Sequence, residues 1–356
     1  MKPALQRAQS FCQRFGLRLP VLLAPMAGVS APSLSIAIAN AGGAGACGAL
    51  LMKPTEIAAW VNEVRSATSG PFNMNVWIPD PPPVRDRAHE SKVREFLSQW
   101  GPRVSETAGD TTPPEFATQC QALLDVKPPI VSSVMGIYPP DFVSKLKERG
   151  MLWFANVSTV AEARQAEAAG ADVIVAQGME AGGHRAAFRA DDAERCLVGL
   201  FSLVPAVVNA VEVPVVATGG IADARGVAAA LALGASAAQI GSAFLVCPEA
   251  KLNPAWVKGL LTAAPEDTVV SRVFSGRAGR SLFNDYVRAA TAPSAPPPAP
   301  YPVQRGLTST MRVEAQKAND MQRMQAWAGQ SSGLAKAEPA ADVVRKVWEG
   351  AREILA

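Results

Sequence analysis

ADVIVAQGMEAGGHR, residues 171–185, passes from an apolar run into a loop that carries an amide, two adjacent glycines and a histidine. The run is rich in β-branched residues and shows no polar alternation, which describes a parallel strand buried on both faces. The end of such a strand is where α/β folds place their chemistry. His184 is one of only two histidines in the chain. Its side chain exchanges protons near neutrality, with an unperturbed pKa of about 6.5, which makes it the candidate catalytic residue. The plain alternative is a glycine turn in which His184 only hydrogen-bonds.

Outward from this strand, short apolar runs recur at 20–24, 44–49, 72–77, 130–134, 152–155, 173–176, 215–217 and 237–240. Helical patterns lie between them at 32–40 (opened by Ser30), 54–67, 141–149, 160–169, 196–209 and 223–233, the last capped by Asp223. Eight strands alternating with helices predict an α/β fold of the closed (β/α)8 TIM-barrel type. Two segments interrupt the pattern. Residues 79–129 begin PDPPP and hold helical stretches at 91–100 and 114–124. After the eighth strand, TAPSAPPPAPYP (291–302) is an extended linker that leads into a helical stretch at 307–329. The expected organisation is a barrel of residues 1–78 and 130–285. A mostly helical cap over its mouth, with a C-terminal tail, takes 79–129 and 286–356.

Bulk properties narrow the class. Charged residues are 18% and hydrophobic residues 49%, the balance of a compact enzyme rather than a disordered chain. The net charge of +3 is spread without long basic runs, so nothing points to nucleic acid. The five cysteines show no paired spacing, which argues for a reducing compartment and against a disulfide framework or a zinc or other metal site. Two long uncharged stretches, 19–52 and 226–248, are broken by turn residues and read as buried strand plus small-residue helix rather than membrane spans. The N-terminal arginines before PVLLAPMAGVSA resemble a targeting peptide, yet the same residues fit a first barrel strand. A cytoplasmic location is expected.

The loops after strands seven and eight read TGGIAD from Thr218 and GSAF from Gly241. Glycines allow backbone N–H groups to approach phosphate oxygens, and barrels that hold phosphorylated cofactors grip them at these two loops. Gly219, Gly220, Gly241 and the hydroxyl of Ser242 are therefore expected to bind a phosphate, with Gln239 and Ile240 leading into the turn. Across the mouth, Ala24 and Met26 follow strand one, Asn75 lies in strand three, and Gln177 opens the histidine loop. Taken singly, Met26 would be core and Asn75 a satisfied interior amide. Together with the phosphate site they describe FMN lying across the barrel.

The segments APMAGVSAPSLSIAIANAGGAGACGA, PFNMNVW, QGMEAGGH, VVATGGIADARGVAAALALGASAAQIGSAFL and SRVFSGRAGRSL resemble the nitronate monooxygenase family, formerly called 2-nitropropane dioxygenase. The YPVQ and WAGQ elements resemble its class I members, and the likeness runs in order over residues 20–329. It implies a barrel with FMN that oxidises alkyl nitronates with dioxygen, releasing nitrite and an aldehyde or keto product. Propionate 3-nitronate is the implied natural substrate. By motif position it implies Asn75, Gln177, Gly182, Gly219 and residues 239–242 as flavin contacts, with His184 as the base. Ser242 stands where the family often has threonine, and residues 79–108 match no motif of it.

A nitronate is already electron-rich at carbon and needs no base. His184 would deprotonate neutral nitroalkanes, or as an imidazolium stabilise the nitro oxygens. Arg185 and Lys53 are candidate partners for a substrate carboxylate, although each reads more readily as a solvated surface charge. Glu180 could orient the loop, and His89 reads as a surface residue. Tyr301, between Pro300 and Pro302, is expected either to contact substrate or to anchor the linker. The same loop also resembles flavin-dependent enoyl-acyl-carrier-protein and quinone reductases that take electrons from NAD(P)H. A non-enzymatic flavin-binding protein is the third possibility.

Overall fold

A computed structural model describes residues 3–29 and 31–356. Ser30, expected to open a helix, lies outside the described residues. In chain order the strands are β1 (Val21–Leu23), β2 (Gly45–Gly48), β3 (Phe72–Trp77), β4 (Ile130–Val134), β5 (Leu152–Val157), β6 (Val173–Gln177), β7 (Gly183–His184), β8 (Val215–Thr218), β9 (Ala237–Ile240), β10 (Thr268–Ser271) and β11 (Gly279–Leu282). Eight of them form one parallel sheet in the order β1-β9-β8-β6-β5-β4-β3-β2. A bridge between Leu22 and Ala44 joins its two ends, so the sheet closes into the (β/α)8 barrel. No helix among the described residues is long and apolar enough to cross a membrane.

Side chains two apart on a strand share a face, and this period divides the barrel interior into layers. Leu22, Ile130, Phe154, Val175, Val216 and Ala237 fill the lower lumen. The N-terminal helix Pro3–Phe15 closes the bottom, with Phe15 edge-on to Phe154 at 5.4 Å. Two residues further along the strands the interior turns polar, with Asn75, Ser132, Asn156, Gln177, Thr218 and Gln239 all buried. An apolar floor beneath a ring of amides and hydroxyls is thus written into the alternation of the strands themselves.

The interruptions sort differently from the sequence-based expectation. Helix Arg87–Leu97, which contributes Val93 and Leu97, shares a separate apolar core with Tyr286, Val303, Leu307 and Met311, and this is the cap. Helix Phe116–Val126, expected in the cap, instead packs in the barrel wall, because Cys120, Leu123 and Leu124 face the main core. The helix expected over 307–329 is only Ser309–Lys317, and the chain beyond it crosses the mouth irregularly. The tail forms an amphipathic helix, Ala340–Leu355, laid on the barrel helices Pro32–Ala41 and Ala224–Ala232. Asp223 caps the last of these by accepting from the backbone of Arg225 and Gly226.

Candidate active site

His184 is held by a small antiparallel sheet, β10-β11-β7, that lies over the barrel mouth. β7 has two residues, and Gly279 and Arg280 of β11 pair with His184 and Gly183. From below, Gln177 fixes the same loop: its Oε1 accepts from the Ala186 N–H, and its Nε2 donates to the His184 carbonyl. The Glu180 carboxylate accepts from the Leu200 N–H, so it ties the loop to a helix start rather than standing free. Arg185, read as a possible surface charge, is only 1% exposed and donates to the carbonyls of Gly178 and Gln177. It holds the turn and is closed to substrate. Lys53 is exposed outside the cavity, and His89 bonds the Pro297 carbonyl, joining insertion to linker.

The His184 ring sits between two indoles, with Trp77 edge-on and Trp327 tilted, each at 4.7 Å between centroids. Its Nε2 lies 2.8 Å from Ser275 Oγ. Burial, and after it the charges of Arg277, Arg305 and Arg312, push its pKa down to about 3. Both causes favour the neutral imidazole and work against the imidazolium role considered from the sequence.

One cavity gathers almost all of the expected residues. Ala24, Met26, Asn75, Gln177, Gly182 and His184 line it, and so do Gly219, Gly220, Gln239, Gly241 and Ser242. Two do not. Ile240 is buried in β9, where its carbonyl accepts from the Ala24 N–H. Tyr301 stands behind Trp77, 5.6 Å away between ring centroids, with its hydroxyl buried and unpartnered. It reaches the cavity only through the indole, a position that fits the anchor reading.

The glycine turns after β8 and β9 have a third wall that the sequence did not disclose. Ser242 Oγ accepts from the Gly329 N–H, and Ser331 Oγ donates to the Gly220 carbonyl, so the segment after Trp327 lies across both turns. Gly182 is confined there: a Cβ would stand 2.5 Å from the Gly329 nitrogen. Beside it, Ser332 lines the cavity, and its Oγ is buried with no partner among the described residues. Asn75 Nδ2 donates to the carbonyl and hydroxyl of Ser132, which leaves its Oδ1 as an acceptor. Spare donors at one end and spare amide groups along the strands match a ligand with a phosphate at one end and a polar-edged ring at the other.

Sequence reasoning also missed residues at the ends of β3 and β4 and from the segments that cover the mouth. Trp77, Met135, Arg305, Gln325 and Trp327 line the cavity. Met135 takes a left-handed φ of 67°, a conformation uncommon for non-glycine residues. Arg312 is half-buried, and its guanidinium donates to Thr308 Oγ1, Gln325 Oε1 and the Arg305 carbonyl. It has no carboxylate partner among the described residues. The Arg305 guanidinium has no protein partner there at all. No motif spacing flags Arg305, Gln325 or Trp327, because their place at the mouth depends on how the chain after the barrel folds back.

A closed α/β barrel with a glycine-walled nook, an amide ring and a neutral histidine defines a cofactor-dependent oxidoreductase of the flavin-barrel class. The sequence profile of the nitronate monooxygenase family matches residues 10–350. The nitronate monooxygenase of Paraburkholderia phytofirmans is 36% identical over 93% of this chain and 92% of its own. The solved nitroalkane oxidase of Streptomyces ansochromogenes superposes with a TM-score of 0.86 at 35% identity, covering 96% of this chain and 98% of that one. FabK from Thermotoga maritima follows at 0.75 and 27% identity, covering 97% and 96%. The chain belongs to the nitronate monooxygenase family and is a flavin-dependent oxidoreductase.

Proposed function

We propose that this enzyme binds FMN and oxidises alkyl nitronates with dioxygen, releasing nitrite and an aldehyde or keto product. Small nitronates that carry a carboxylate, such as propionate 3-nitronate, are its preferred class. The observation that carries this reading is the pairing of neutral His184 with the unpartnered guanidinium of Arg305 in one cavity. Bound FMN would accept electrons from the nitronate and pass them to dioxygen. Gly219, Gly220, Ser242 and Ser332 would take its phosphate, and Asn75 and Gln239 its ring edge. Arg305 attracts the anionic substrate into the cavity. His184 takes the proton when the substrate arrives as a neutral nitroalkane. Its low pKa would weaken it as a base in isolation, but the arginines that disfavour the imidazolium stabilise the nitronate formed beside it. Trp77 and Trp327 hold the imidazole and keep bulk water off it.

The deciding assay is aerobic turnover of propionate 3-nitronate with no NAD(P)H, followed as oxygen uptake and nitrite. Activity that needs NAD(P)H and leaves oxygen unused would establish the reductase reading instead. Heat or acid should release FMN from the purified protein, and release of FAD would overturn that part. Arg305→Met should raise KM for the carboxylated nitronate roughly tenfold, the worth of a charge-assisted hydrogen bond. It should raise KM less for a plain alkyl nitronate, and equal effects on both would dismiss a carboxylate contact.

A further inference from the structure

The His184 ring has one hydrogen-bonding partner among the described residues, and that partner has little freedom. Ser275 Oγ lies 2.8 Å from His184 Nε2, accepts from the Arg277 N–H at 3.2 Å and lies 3.1 Å from the Arg277 carbonyl. A hydroxyl carries one proton. Arg277 is 1% exposed, and no other donor reaches its carbonyl among the described residues. Buried carbonyls in folded proteins are paired, so the Ser275 proton belongs to that carbonyl. The remaining lone pairs of Oγ then accept from the Arg277 N–H and from His184. If the hydroxyl instead donated to Nε2, the Arg277 carbonyl would be left buried and unpaired.

We propose that Ser275 is a positioning residue that holds His184 as its Nε2–H tautomer, so that Nδ1 is the nitrogen that takes the substrate proton. A neutral imidazole carries one N–H, and a hydrogen bond at one ring nitrogen decides the state of the other. With Nε2–H committed to Ser275, the lone pair sits on Nδ1. That atom has no protein partner among the described residues, and the ring lines the cavity. Trp77 and Trp327 flank the ring and oppose its rotation. In the proton transfer, the α-hydrogen of a neutral nitroalkane passes to Nδ1, and the C–H electron pair becomes the C=N bond of the nitronate. The imidazolium so formed keeps its Nε2–H on Ser275.

The role assigned to Nδ1 rests on the reading of His184 as a base; the tautomer does not, and the test separates them. The holoenzyme is labelled with 15N-histidine, and a His89→Gln variant assigns the two histidines. The expected spectrum shows His184 with a pyridine-like Nδ1 and a pyrrole-like Nε2. The reverse pattern would overturn the proposal without any variant of Ser275. In Ser275→Ala the two nitrogen signals should move towards each other as the tautomers mix. Turnover of neutral nitroalkane should fall on the order of tenfold relative to nitronate, and Ser275→Thr should restore both. An unchanged ratio of the two activities in Ser275→Ala would also overturn it. Should the wild type show the expected tautomer yet leave neutral nitroalkanes untouched, the base role fails and the tautomer lock stands.

Discussion

Burial and three arginines act on His184 in the same direction, and the consequence is measurable against pH. Its pKa is held at about 3 in the fold, against about 6.5 in an unfolded chain. Between those values the unfolded state binds more protons than the folded one, so stability rises with pH across the window. The contribution is complete above about 6.5 and is lost as pH falls towards 3, with a slope of at most about 1.4 kcal/mol per unit. The urea midpoint of the wild type should therefore drop between pH 7 and pH 4, and that of His184→Asn should drop less. The kcat/KM for neutral nitroalkanes should show no acid limb near 6.5; a limb there would mean an ordinary, solvated histidine. In His184→Asn that activity should fall about 10²–10⁴-fold, the worth of a positioned base, with a smaller loss on nitronates. Tyr301 calls for the opposite expectation. Its hydroxyl is buried without a partner, so Tyr301→Phe should leave KM unchanged and the melting temperature equal or higher. A raised KM would show that the phenol reaches substrate.

The elements that meet at the mouth come from distant parts of the chain, and each is short. β7 is two residues long and exists because β11 pairs with it, while β11 is bridged in turn to Trp327. The glycine turns after β8 and β9 were legible in the sequence because TGG and GS directly follow apolar runs. The wall supplied by residues 328–332 was not, because its contribution is backbone and hydroxyl contact that leaves no spacing to read. Gly182→Ala tests that wall. The added methyl would meet the backbone at Ala328 and Gly329, so the segment must move away from Ser242. Purified Gly182→Ala protein should retain much less flavin than wild type at equal concentration, read from visible absorbance. Full retention would show that the wall does not help to hold the cofactor.

The two ends of the barrel do different work. The C-terminal mouth carries polar side chains and the cap, while the opposite end is shut by Phe11 and Phe15 of the N-terminal helix. A substitution at the closed end should therefore cost stability and leave chemistry alone. Phe15→Ala should lower unfolding free energy by about 3–5 kcal/mol, measured by denaturant titration, with KM for nitronate unchanged. An altered KM at full flavin loading would mean that the floor of the barrel is coupled to the mouth.

By itself, the sequence determined the barrel. Eight apolar runs, glycine turns and a histidine loop are local signals, set by backbone propensity and by burial that repeats along each strand. The same locality made the lining of the cavity by Asn75, Gln177, Gly219 and Ser242 readable, since each sits at a known place relative to its strand. Tertiary structure alone decided the rest. The lowered pKa of His184 comes first from burial and then from arginines at 277, 305 and 312, around a hundred positions away in the chain. Its hydrogen bond to Ser275 spans 91 positions. The burial of Arg185, the retreat of Tyr301 behind Trp77 and the split of residues 79–129 between wall and cap follow from which faces pack together. Packing between distant segments is a property of the assembled core, and no window of sequence contains both partners.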